Sequence, residues 1–285
     1  MGAVPKMKTL TRLLRLWRMY AWLDFMWITR SAQQSLLYFT GDAIVNLAAL
    51  TSTLLLAERF DGIGPWSKFQ IIFMLGYAAT ATGLLDIFCG YNVLFIGRRL
   101  GRGQFDHTLI QPQPLWMALL TDGFNPFGAS SAFLTGLALT VWAGGYLALN
   151  PTLGWLALFG LNLIASAGIV LAVSFFWGSF AFFAPRAAEE INTPLLHMFD
   201  HLKLFPLDGL GLGMAGGLLT VVPVGFVAWY PCRALLGLDP ASYAVLLTPC
   251  AALLFGGLAI WMFRKGLRHY ERVGSNRYRD MGHRG

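Results

Sequence analysis

Residues 69–96 read FQIIFMLGYAATATGLLDIFCGYNVLFI, and residues 97–103 read GRRLGRG. The first run contains one acid, Asp86, and no base. About 20 apolar residues suffice to cross the hydrocarbon core of a bilayer, so this run reads as a transmembrane helix. The bases just after it read as its anchor on one side. Comparable runs occur at roughly 36–57, 127–149, 153–183, 209–230 and 243–263. The expected fold is an all-α integral membrane protein with six transmembrane helices.

Composition supports the same class. The chain of 285 residues is 56% hydrophobic and 12% charged, where a soluble domain carries about 25% charged residues. Six spans leave no room for a separate soluble domain, so residues 1–285 read as one membrane domain. On these boundaries 18 of the 21 Lys and Arg residues fall on one side. Lys6, Lys8, Arg12, Arg15, Arg18 and Arg30 precede the first span, Arg98, Arg99 and Arg102 follow the second, and Arg186 and Lys203 follow the fourth. Seven more, from Arg264 to Arg284, follow the last. Such a bias places both termini in the cytoplasm, and the expected location is a bacterial inner membrane. The net charge of +7 lies at span flanks, where it meets anionic lipid rather than nucleic acid. Cys89, Cys232 and Cys250 are too scattered for a disulfide framework or a metal ribbon. Arg residues interrupt the N-terminal apolar positions, so no cleavable signal peptide is read there.

Residues 8–21 have the pattern of a helix lying in the membrane interface. Leu10, Leu13, Leu14, Trp17, Tyr20 and Ala21 share one face, and Lys8, Arg12, Arg15 and Arg18 share the other. Within the spans, Asp42, Asn46, Thr80, Thr82, Asp86 and Asn92 are polar. Asp86 lies ten residues from the inner boundary, about 15 Å deep. A carboxylate at that depth faces a wet cavity or a protein partner. Residues 184–206 form the most polar internal stretch and read as a cytoplasmic loop, while Pro223 marks a bend in the fifth span.

The link between the second and third spans is too structured for a plain connector. A basic glycine hinge leads to a short mixed segment, a break at Pro112 and Pro114, and an apolar turn at Leu115–Leu120. Short helix, proline break, short helix suits docking of a soluble partner.

Enzyme chemistry finds little support. His197 and His201 are four residues apart, but the Glu of a zinc-protease motif is replaced by Met198. Glu189-Glu190 lacks the Arg that a paired-glutamate membrane protease needs. There is no phosphate-binding loop, so ATP could act only through another chain.

The segment Gly103-Gln104-Phe105-Asp106-His107-Thr108-Leu109-Ile110-Gln111-Pro112 resembles the Gly-acidic-Leu-Asp-x-x-Leu-Leu-Arg-Pro signature of a branch of the type 2 ATP-binding-cassette (ABC) permeases. Gly103, Asp106, Leu109 and Pro112 match, and Gln104 and Gln111 depart. Val222-Pro223-Val224-Gly225-Phe226-Val227 with Tyr230-Pro231 is similar to the family's fifth-span end, and Gly266-Leu267 with Tyr270 and Gly274 to its C-terminal close.

The resemblance implies a permease subunit of an ATP-driven exporter. Residues 102–120 would be the coupling segment, with Gly103, Phe105, Asp106, Leu109, Pro112 and Pro114 at the ATPase. Residues 8–21 would be the connecting helix, with Arg12, Arg15, Trp17 and Arg18. Asp86, Asn92, Asn46 and Pro223 would line the pathway. Expected partners are two copies of an ABC ATPase carrying ATP and Mg, a second permease, identical or related, and membrane lipids. The Phe, Met and Trp content favours an amphipathic or lipid-like cargo. The alternatives are an ion- or proton-coupled carrier using Asp86, an intramembrane hydrolase, and a structural membrane-assembly protein.

Overall fold

The structure is a computed structural model describing residues 6–60, 62–208, 210–241 and 243–274. The chain opens with α1 (Lys6–Arg30) and α2 (Ala32–Phe60). A two-stranded antiparallel turn, β1 (Gly62–Ile63) with β2 (Trp66–Ser67), leads into α3 (Lys68–Leu94). Three short helices follow: α4 (Ile96–Gly101), α5 (Asp106–Leu109) and α6 (Leu115–Thr121). Next come α7 (Ser131–Tyr146), α8 (Leu153–Gly178) extended by a 3-10 turn at Ser179–Phe182, and α9 (Pro185–Leu202). The chain closes with α10 (Leu212–Thr220), a 3-10 turn at Val224–Phe226, α11 (Trp229–Leu235) and α12 (Ala244–Val273).

Local chemistry sets these boundaries. The Thr152 hydroxyl accepts the Trp155 N–H at 3.2 Å and caps α8 just after Pro151. Within α3, Gly90 adopts φ 53° and breaks the helix. The Ile87 carbonyl accepts the Asn125 N–H at 3.0 Å instead, so the break leaves that carbonyl satisfied.

The core forms three stacked layers. The first holds Ile96, Leu100, Phe105, Phe182 and Ala188, with Phe263, Leu267 and Tyr270 against it. The middle layer includes Leu85, Cys89, Val170, Leu196, Phe199, Val224 and Val227. The third includes Trp66, Ile71, Tyr77, Leu204, Leu207, Trp229 and Cys232. We call the first the basic end, since Arg98, Arg99, Arg102 and Arg264 lie along its elements, and the third the far end.

Among the described residues, Lys68–Gly90, Leu153–Phe182 and Ala244–Val273 are long and apolar enough to cross a membrane. Two bent pairs, Gln33–Ala48 with Thr53–Arg59 and Gly213–Thr220 with Val224–Leu235, make five if each is one span.

Two sequence expectations change. The polar stretch 184–206 is helical over Pro185–Leu202 rather than a loop. It carries Ala188 in the first layer and Leu196 and Phe199 in the second, and delivers Leu204 and Leu207 to the third. The helix therefore runs the whole depth of the core. Conversely, 209–230 is not one helix with a proline bend. From Leu207 at the far end the chain dips to Val224 and Val227 in the middle layer, then returns to Trp229 and Leu235 at the far end, turning by 74° on the way.

Asp208 fixes that dip. Its carboxylate accepts the indole N–H groups of Trp66 and of Trp229, the latter at 2.6 Å, and pairs with Arg233. The two ends of the 209–235 unit and the α2–α3 turn thus meet at one carboxylate.

Candidate functional site

Two regions bring the predicted residues together. One is the segment 97–128 at the basic end; the other is a charged cleft beside α3.

The basic-end segment is braced from three sides. Arg99 pairs with Asp122 and donates to the Thr108 hydroxyl at 2.7 Å, tying α4, α5 and α6 together. From α12, the Tyr270 hydroxyl donates to Asp106. From α1, Trp17 donates to the Leu120 carbonyl at 2.9 Å and packs on Phe88 and Phe124 at ring distances of 5.6 and 5.4 Å. Arg12 reaches the Pro112 carbonyl at 3.5 Å, and Asp24 accepts the N–H groups of Phe127 and Gly128 at 2.7 and 3.1 Å. The apolar face of α1 therefore grips protein at Trp17, where the sequence pattern pointed to lipid. Arg15 and Arg18 border an open hollow with Trp22, Phe25 and Phe127.

The residues expected to contact an ATPase divide accordingly. Leu109 is exposed, as are its neighbours Ile110, Gln111 and Pro112, and Pro114 is exposed at the N-cap of α6. Phe105 is a correction: it is fully buried, with its ring against Phe182 and Phe263, so it holds the segment to the core and presents no surface. Gly103 is also buried, at φ 66°, where the left-handed backbone suits glycine. Asp106 is half-buried under Tyr270. These three shape the segment from beneath.

The cleft has a volume of about 350 Å³ and opens between α2, α3 and α9. Asn46, Thr82, Asp86, Asp200 and Lys203 supply its polar wall, and Leu50, Phe95, Val170 and Leu196 are among its apolar residues. The Lys203 ammonium donates to the Thr82 hydroxyl and to Asp200, both at 2.7 Å. Asp86 accepts no hydrogen bond among the described residues, yet stands in the field of Lys203, Asp200 and Asp42. At the rim, Asp42 accepts from Ser131, and Asn46 donates to both at 3.3 Å. One base and two carboxylates, Asp86 and Asp200, thus line a partly apolar cleft with Asp42 at its rim, where an added charge is felt strongly.

Asp86 and Asn46 both line this cleft. Pro223 does not join them. It lines a separate, mainly apolar hollow of about 160 Å³ with Phe176, Trp177 and Phe255. The side chain of Asn92 lies outside the described residues. Sequence reading missed Lys203 and Asp200 as cleft residues. The available signal was helical spacing: Ala188, Asn192, Leu196, Phe199 and Lys203 recur at three or four residues through the polar stretch.

A model of the ABC-2 family transporter proteins matches residues 43–274, most of the chain. The chain belongs to this family. Comparison with curated proteins and with solved structures gave no match. An ABC-2 protein is the multi-pass membrane component, the permease, of an ABC transporter, and its partner is an ABC ATPase. The family match reaches over α3, the cleft and the braced segment alike.

Proposed function

We propose that this ABC-2 permease is the membrane half of an exporter whose separate ATPase chain docks on the exposed part of residues 102–120. One observation carries the reading: α3 bears Asp86 in the cleft and, four residues on, breaks at Gly90 and leads into the segment braced by Arg99, Trp17 and Tyr270. Force applied at Leu109–Pro112 would be passed to the cleft wall through α3 rather than lost in a loose loop. ATP and Mg would stay on the partner, present in two copies, with a second permease completing the pathway. The cargo is an amphipathic or lipid-like molecule, matched to a cleft with an apolar wall and a few charged groups.

In the membrane, α2, α3, α7, α8, α9 and α12 would be the six crossings, with 209–235 a re-entrant unit entered from the far side. The polarity at the end of α9 fits this role, since Asp200 and the Lys203 that follows the helix line the cleft. Moving Lys203 to the far half still leaves 17 of the 21 bases at the basic end. That bias favours a cytoplasmic location for the basic end and both termini, and the membrane proposed is a bacterial inner membrane.

The test is the double substitution Leu109→Glu with Ile110→Glu. Both side chains are exposed, so the permease should insert and remain monodisperse while its ATPase no longer copurifies. An ATPase that stays bound to this variant places the docking surface elsewhere.

A further inference from the structure

A groove on the outside of the bundle is separate from the cleft. It runs between α8 and α12, is floored by α6, and has a volume of about 540 Å³. Gly168 and Leu171 of α8, Gly256 of α12 and Trp116 and Leu119 of α6 line it, and Arg264 borders it at the basic end. A Cβ added at residue 168 or 256 would meet no atom within 4 Å, so these two glycines open the groove. From Gly256 to Arg264, α12 rises about 12 Å. Only 22% of the apolar window of α12 is buried, so this helix shows most of its surface to the outside.

The charged end is also open. Arg264 is exposed, as is Arg268 one turn further along the same stripe. Among the described residues neither makes an ion pair or hydrogen bond, and Glu271, the nearest acid along the chain, pairs with neither. Trp116 is 46% exposed and lines the same groove as Arg264, in the kind of position an indole takes at headgroup level.

We propose that this groove holds an acyl chain of an anionic phospholipid whose phosphate rests on Arg264 and Arg268. The apolar wall matches hydrocarbon, and two unpaired guanidiniums at its mouth match phosphate, which Arg grips through paired N–H donors. The charge selects an anionic headgroup over a zwitterionic one. Such a lipid would bridge α6 in the docking segment to α12, linking the membrane's anionic content to the position of that segment. The inference relies on the proposed membrane placement, but on neither the cargo nor ATPase docking.

The full chain, reconstituted in nanodiscs of phosphatidylglycerol and phosphatidylcholine and then released into mild detergent, can be weighed by native mass spectrometry. The wild type should retain phosphatidylglycerol in preference to phosphatidylcholine. Arg264→Gln with Arg268→Gln should reduce that preference by about fivefold per residue removed. Gly256→Leu should fill the groove and lower retention of both lipids. Gly257→Leu is the control, since residue 257 is absent from the lining and also has no atom within 4 Å of an added Cβ; it should behave as wild type. An unchanged preference in the double Arg variant, equal retention in the two Gly variants, or an inserted wild type that keeps no lipid would each overturn the proposal.

Discussion

The two sides of α3 are built on opposite principles. Towards α7 it is dry and fused. A Cβ at Gly76 would come within 2.6 Å of the Thr140 backbone nitrogen, and one at Gly83 would collide with the backbone of Phe133. Thr80 and Thr140 turn their hydroxyls back onto the Gly76 and Gly136 carbonyls at 2.7 and 2.9 Å, which removes polar groups from the contact. Small residues permit this backbone approach, and in a membrane such packing is a main source of helix association. Towards α9 the same helix shows Thr82 and Asp86 to a cavity. Here contact is made through Lys203 rather than by close packing. A fused face carries a helix as part of a rigid unit, whereas a hollow polar face can change its spacing at low cost. The division makes α3 and α7 one body, and the α3–α9 boundary the place where a cleft could open and close.

The comparison breaks most directly at the fused face. Gly83→Leu drives a side chain into the Phe133 backbone, and since backbone cannot step aside as a flexible side chain can, the loss should be about 3 kcal/mol. Heating in detergent followed by size-exclusion chromatography should show early loss of the monodisperse peak. Wild-type thermal behaviour in Gly83→Leu would mean that α3 and α7 are not fused.

A smaller effect is expected at the far end. Asp208→Ala removes the common acceptor of Trp66, Trp229 and Arg233. Removing one partner of a fully buried pair costs about 3–5 kcal/mol, but Arg233 is partly exposed and retains Asp239 at 3.8 Å, so about 2 kcal/mol is expected. The same region separates a re-entrant unit from a full crossing. Single cysteines at positions 210 and 239 should react with a membrane-impermeant reagent from the same side. Labelling from opposite sides would restore 209–230 as a span and remove α9 from the crossings.

How much of this was legible in the sequence follows from what hydropathy measures. It averages over a window, so it found the stretches that are apolar around most of their circumference: α2, α3, α8 and α12. The helix α9 is apolar on one face only. Its Ala188, Leu196 and Phe199 are diluted by Glu190, His197, Asp200 and His201, and the average reads as loop. The 209–235 unit is misread in another way, since a window average cannot see the 74° bend between Gly213–Thr220 and Val224–Leu235. Pro223 and the glycines around it were the visible hint. The depth of Asp86 could be read from its distance to the bases at 98 and 99. Its neighbour Lys203 could not, because that contact is tertiary: Lys203 binds Thr82 across 121 residues. Motif reading likewise located the segment 102–120 but could not tell surface from underside, and so gave Phe105 an outward role that its burial excludes.

The smallest effect on stability, and the sharpest test of the hollow face, is expected at Asp86. This carboxylate accepts no hydrogen bond among the described residues, so Asp86→Asn strands no buried donor. Stability should stay within about 0.5 kcal/mol, and ATPase copurification should be unchanged, since the docking segment is untouched. The charge of the cleft does change, because one of the two carboxylates that line it with Lys203 becomes neutral. Lys203→Met moves the charge in the opposite sense and also frees Thr82 and Asp200. If a charged cargo passes this cleft, the two substitutions should shift the cargo concentration that half-stimulates ATP hydrolysis in opposite directions. An uncharged cargo would respond weakly to Asp86→Asn and more to Lys203→Met, through the loosened α3–α9 boundary. Half-stimulation unchanged in both variants would remove the cleft from the pathway, leaving α9 joined to α3 for structural reasons alone.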